Sequence, residues 1–145
     1  MKFMKKSILA SVAVTLSCTC LPVHAIETNV IDEKWGKPTV VYGAGLNANQ
    51  IQATAELFNI TNSEYVNELI VDAYDVNTYL GYSLSSGSSL ISSVMVQKTD
   101  KSGVVVNILT PENITKITEE QYANAAITAG VTNCEIDVAS IMSVT

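Results

Sequence analysis

Five short β-branched runs alternate with helix-opening signals along this chain, and that alternation constrains its fold more than any other feature. Residues 38–42 form the first run, closed by Gly43 and Gly45. Asn47 and Gln50, three positions apart, make a reciprocal cap, and Ile51, Ala55 and Phe58 then recur at helical spacing with Thr54 between them. Residues 65–71 read as a second strand. Asp72 caps a short helix through Leu80 that favours Tyr74, Val76 and Leu80 on one side, and Gly81 ends it. A Ser/Gly-rich stretch over residues 83–89 reads as a mobile loop. Residues 90–98 and 104–110 predict a hairpin around a loop containing Gly103, and the second run is apolar on both faces, as in a covered central strand. Thr110 followed by Pro111 predicts a helix start. Thr118 with Gln121 caps a further helix with a stripe of Tyr122, Ala125, Ala126 and Ala129, stopped at Gly130. The last strand, residues 131–142, sets Cys134, Ile136 and Val138 on one face and Glu135 and Asp137 on the other. The order β-α-β-(α)-β-β-α-β predicts an α+β fold: a mixed β-sheet with helices mainly on one face, loosely ferredoxin-like.

The chain before residue 38 has a different character. Lys2, Lys5 and Lys6 precede an uncharged apolar run over residues 7–21, and Val23 and Ala25 offer the small residues that a signal peptidase reads. Residues 1–25 are therefore expected to be a secretory signal peptide, residues 26–37 a linker and residues 38–145 a single domain. The apolar run is too short and too rich in Ser and Thr to span a membrane well. Removing the leader takes away three lysines and His24, the only histidine. Five lysines then face fourteen acids, a formal charge of −9, and no arginine is present. Such a chain is repelled by nucleic acid. Cys18 and Cys20 go with the leader, so Cys134 has no internal disulfide partner, and its place on an apolar strand face reads as buried and inert. Without histidine, Ser-His-Asp and Cys-His catalysis is excluded, as is an ordinary zinc site.

Several segments carry a resemblance. Trp35-Gly-Lys-Pro, Val40-Val-Tyr-Gly-Ala-Gly-Leu46, the long block from Thr110-Pro-Glu-Asn-Ile-Thr to Gly130, and Val138-Ala-Ser140 are similar to the YpuA-like proteins, a domain-of-unknown-function family of secreted bacterial proteins. The resemblance implies an extracellular protein and supplies no catalytic residue. Its relatives continue past the position of Thr145 into a Gly-Glu-Ser-Ala-like stretch and a further helical region, which implies a C-terminally truncated chain.

Three constellations are candidates for function. Gly43-Ala-Gly45-Leu-Asn-Ala48 has the form of a phosphate-binding turn between a strand and a helix, with Asp72 near the position of a ribose-binding acid. Gly43 and Gly45 are thus candidate anion-binding residues. The paired acids Glu119–Glu120 and Glu135–Asp137 have the chemistry for a carboxylate-dependent hydrolase or a weak Ca²⁺ site, but read first as solvated surface. Tyr74, Tyr79 and Tyr82 beside Ser85 and Ser86 combine flat amphipathic contact area with adaptable hydrogen bonding, the composition of a recognition loop. The expectation is a secreted binding or interaction module, non-enzymatic, with no cofactor and no metal. Its partner would be a protein or glycan at the bacterial surface or in the medium.

Overall fold

The computed structural model describes residues 37–144; the readings made on residues 1–36 lie outside these. Five strands and three α-helices follow in the order read from the sequence: β1 (Thr39–Gly43), α1 (Ala48–Leu57), β2 (Asn67–Val71), α2 (Ala73–Leu80), β3 (Ser92–Lys98), β4 (Val104–Ile108), α3 (Glu119–Thr128) and β5 (Cys134–Ser140). A single 3₁₀ turn, Ser63–Tyr65, leads into β2.

All three helices open on a two-way cap. Asn47 with Gln50, Asp72 with Asp75, and Thr118 with Gln121 each exchange side-chain and backbone hydrogen bonds, satisfying two otherwise unpaired amides per helix. At its other end α2 stops at Gly81, whose left-handed backbone (φ 67) suits glycine.

The strands form one mixed sheet in the order β2-β1-β3-β5-β4. β1 runs parallel to β2 and β5 runs parallel to β4, while β3 is antiparallel to both β1 and β5. This is the α+β class expected, and two β-α-β units flank the antiparallel β3. The expected β3–β4 hairpin does not pair with itself, because β5 enters between its arms. Lys98 and Val104 both register against Cys134, and the Cys134 amide donates to the Gly103 carbonyl (3.1 Å). β4 is consequently an edge strand rather than a covered central one, and Val105 is 51% exposed. The covered position between β3 and β4 falls to β5, whose inner residues are buried along its length.

Register also fixes where the helices lie. Val40, Met95 and Asp137 are successive cross-strand neighbours and share one face, whereas Val94, Val138 and Ile108 share the other. On the first face Val40, Tyr42, Met95 and Ala139 pack with Phe58 and with Ile51 and Ala55 of α1. On the second, Val106, Cys134, Ile136 and Val138 pack with Tyr122, Ala123 and Ala126 of α3. The two longer helices therefore take opposite faces of the sheet rather than gathering mainly on one. The packed stripe of α3 also differs from the one expected: Ala123 faces the sheet, and Ala125 and Ala129 are exposed.

Thr110 and Pro111 open a single turn and no helix. The Asn113 and Ile114 amides both donate to the Thr110 carbonyl, and the chain is then drawn elsewhere. Asn113 Nδ2 donates to the Ser140 carbonyl (2.7 Å), the Ser140 amide donates to Thr110 Oγ1 (2.8 Å), and Ile114 pairs in parallel with Val144. These contacts tie the end of β5 to the segment after β4.

Candidate binding surface

Sheet order leaves β2 at an edge, with β1 as its paired neighbour, and α2 follows it directly. Both elements hold apolar side chains that nothing covers among the described residues. Leu69 and Ile70, adjacent in β2 and therefore on opposite faces, are both exposed. Tyr74 is 75% exposed, Tyr79 82%, Leu80 63% and Tyr82 61%. The three tyrosines singled out in the sequence are thus solvent-facing, although they do not form one stripe. Tyr74 and Tyr79 stand five residues apart on α2, about 140° around the helix axis.

The loop after α2 is held at both ends. Asn77 clamps it from the helix: its Nδ2 donates to the Leu84 carbonyl (2.8 Å) and its Oδ1 accepts from the Leu84 amide (2.7 Å). At the far end the Gly45 amide donates to the Leu90 carbonyl (2.8 Å). Between these points Ser85 and Ser88 close a turn, the Ser88 amide donating to the Ser85 carbonyl and the two hydroxyls lying 3.2 Å apart. Ser85 and Ser86 are exposed at its tip. What the sequence suggested as a mobile loop is a tethered one, presenting Tyr82 and two serines from fixed ends.

Gly43 and Gly45 belong to the same tether. A Cβ at Gly43 would overlap the Leu90 carbonyl, and one at Gly45 would lie 2.5 Å from Ser89 Oγ. Neither residue has a left-handed backbone, so glycine is required here for backbone-to-backbone approach rather than for its dihedral freedom. The amides of this turn already have acceptors. Ala44 donates to Val71, Gly45 to Leu90 and Leu46 to Gly43 through backbone carbonyls, and Asn47 donates to Gln50 Oε1.

A second polar constellation lies on the side of β3, β5 and β4 that α3 does not cover. Asn107 Nδ2 donates to Glu135 Oε1 (2.9 Å) and to Asp137 Oδ1 (2.8 Å), and Gln97 Nε2 donates to Glu135 Oε2 (3.3 Å). The two acids are half-buried rather than freely solvated, and both oxygen atoms of Glu135 are engaged in linking strands. Glu119 and Glu120, by contrast, are exposed in the first turn of α3, where they complement the helix dipole. No group of three His, Cys, Asp or Glu residues suited to a metal ion occurs among the described residues.

Cys134 is buried and unpaired with another cysteine, and burial raises its thiol pKa although Lys98 pulls it down. A buried, largely protonated thiol is a weak nucleophile. Sequence reasoning missed Tyr42. It is 1% exposed on β1, its hydroxyl has no hydrogen-bond partner, and burial together with nearby Glu68 pushes its pKa up to about 12. Ser93 Oγ and Gln97 Oε1 are likewise buried and unpartnered.

These features define an α+β domain whose exposed tyrosines lie just before an edge strand, at Tyr65, and on and after the short helix that follows it, at Tyr74, Tyr79 and Tyr82. The chain belongs to the DUF1002 family, proteins of unknown function, whose family model matches residues 42–145. No curated protein and no solved structure matches it. Among the described residues, no helix is long and apolar enough to cross a membrane.

Proposed function

We propose that this protein is an exported, non-enzymatic binding module of the YpuA-like kind. It engages a protein or glycan at the bacterial surface or in the medium through Tyr74, Tyr79 and Tyr82, with Ser85 and Ser86 at the rim. The observation that carries the reading is the exposure of Tyr74, Tyr79, Leu80 and Tyr82, all above 60%, within nine residues. Large apolar side chains left uncovered in such a cluster are a feature of contact surfaces, and tyrosine supplies contact area at little entropic cost. The tether at Asn77 and Gly45 adds to this by presenting the loop from fixed points, which lowers the ordering cost of binding. Export is supported by the lysine-then-apolar pattern of residues 1–25. The alternatives find less support: the amides around Gly43 and Gly45 already have acceptors, and the carboxylates of Glu135 and Asp137 serve as cross-strand links.

The test is a binding assay of the purified protein against whole cells, isolated wall and concentrated medium proteins. Saturable binding that falls at least tenfold in Tyr79→Ser/Tyr82→Ser is expected. Affinity unchanged in that variant removes the surface from consideration.

A further inference from the structure

The surface just described has a one-sided charge. From Pro38 to Gln97 the chain holds five acids, Glu56, Glu64, Glu68, Asp72 and Asp75, and not one lysine, arginine or histidine. Four of those acids fall between residues 64 and 75, interleaved with exposed Tyr65, Leu69, Ile70 and Tyr74. Of the described lysines, Lys37 is brought to one end of this limb, where its carbonyl accepts from Asn67 Nδ2 (3.3 Å). Glu64, Glu68 and Asp72 are exposed.

Resting on the reading of this limb as a binding surface, we infer that its partner is a protein presenting a cationic, arginine- or lysine-rich segment. Tyrosine rings attract a cation over their faces, most strongly when it is a planar guanidinium. Exposed carboxylates on the same limb add charge-assisted hydrogen bonds and steer the partner from a distance. A second copy of this chain would bring the same acids against themselves, and a nucleic acid would bring phosphates, so both are repelled. A neutral glycan would use the rings and leave the acids without a role.

The probe is a peptide of alternating arginine and glycine, twelve residues long, set against the same peptide with citrulline for arginine and against a chitin hexasaccharide. Backbone amide shifts and dissociation constants are recorded on the full-length protein. The arginine peptide is expected to shift amides within residues 64–82. Its Kd should rise about fivefold or more in Tyr79→Ser/Tyr82→Ser and also in Glu64→Gln/Glu68→Gln, and should hold steady in Glu119→Gln/Glu120→Gln, which removes equal charge from α3. All six positions are exposed, and unshifted amides in β1, β3 and β5 confirm that each variant is folded. An equal loss in Glu119→Gln/Glu120→Gln reduces the effect to net charge and overturns the inference. Equal or stronger shifts from the citrulline peptide or the hexasaccharide also overturn it, while leaving residues 74–86 as a binding surface. Absence of any shift with the arginine peptide, with tyrosine-dependent binding to wall or medium proteins retained, sinks the cationic partner alone.

Discussion

Replacing Tyr42 with phenylalanine should make this protein more stable. Tyr42 is 1% exposed and its ring packs among Val40, Met95, Phe58 and Ala139, contacts that phenylalanine keeps. Its hydroxyl is buried without a partner. A buried polar group left unpaired costs about 1–3 kcal/mol, so removing the oxygen should return about 1 kcal/mol, or about 4 °C in Tm for a domain of this size. The same substitution has a signature at high pH. Burial first, and Glu68 second, raise the Tyr42 pKa from 10.0 to about 12 in the folded state. Below the unfolded value the phenol is protonated in both states and the full stability is present. As pH rises from about 10 towards 12 the unfolded chain releases this proton and the folded one holds it, so stability is lost. Urea denaturation followed by circular dichroism, at neutral pH and then from pH 9 to 12, measures both effects. Tyr42→Phe should raise the neutral-pH midpoint and flatten the alkaline decline, with a residual slope from Tyr122, whose pKa is also raised by burial. A variant less stable than the parent by about 1 kcal/mol or more would refute the claim that the hydroxyl is unpaired, and an unchanged alkaline slope would refute its raised pKa.

Three other substitutions probe separate parts of the structure. Gly43→Ala forces a methyl into the Leu90 carbonyl and should cost about 3 kcal/mol, read by thermal denaturation, since overpacking a tight contact displaces backbone. Asn77→Ala removes both bonds to Leu84, and should speed hydrogen exchange across residues 82–89 while leaving the sheet amides as protected as before. Asn107→Ala leaves Glu135 and Asp137 side by side without their shared donor. It should cost about 2 kcal/mol at neutral pH, and a further Glu135→Gln change should recover part of that loss in a double-mutant cycle.

What could be read in advance was the local chemistry. Caps need only residues three positions apart, so Asn47 with Gln50 and Thr118 with Gln121 announced α1 and α3 directly. Strand pairing depends on distant residues, and there the sequence misled. The runs before and after Gly103 looked like hairpin arms because they are close in sequence. Yet five intervening residues reach across the roughly 10 Å that two strand spacings require, and β5 takes the gap. Thr110 and Pro111 looked like a helix start because a helix is the local solution. The contacts that prevail, Asn113 to Ser140 and Ile114 to Val144, come from about thirty residues away. On α3 the alanines differ too little in hydrophobic weight to declare which of them faces the sheet. The tyrosines of α2 were legible as a composition, but their exposure was not, since it depends on which elements the fold leaves uncovered. The Asn77 clamp on Leu84 gave no sign at all, because a single asparagine in a helix has many partners open to it.

The strand that joins the two halves of the sheet is the last of the five described. Without residues 134–140, β2-β1-β3 and β4 have no ladder between them, and the apolar side chains of β3 and β4 have no β5 to pack beside. Closing the sheet therefore depends on pairings between residues far apart in the chain, the slow kind of contact to form. Such a sheet is one body only while that strand is seated, and whatever unseats it parts β4 from the other three.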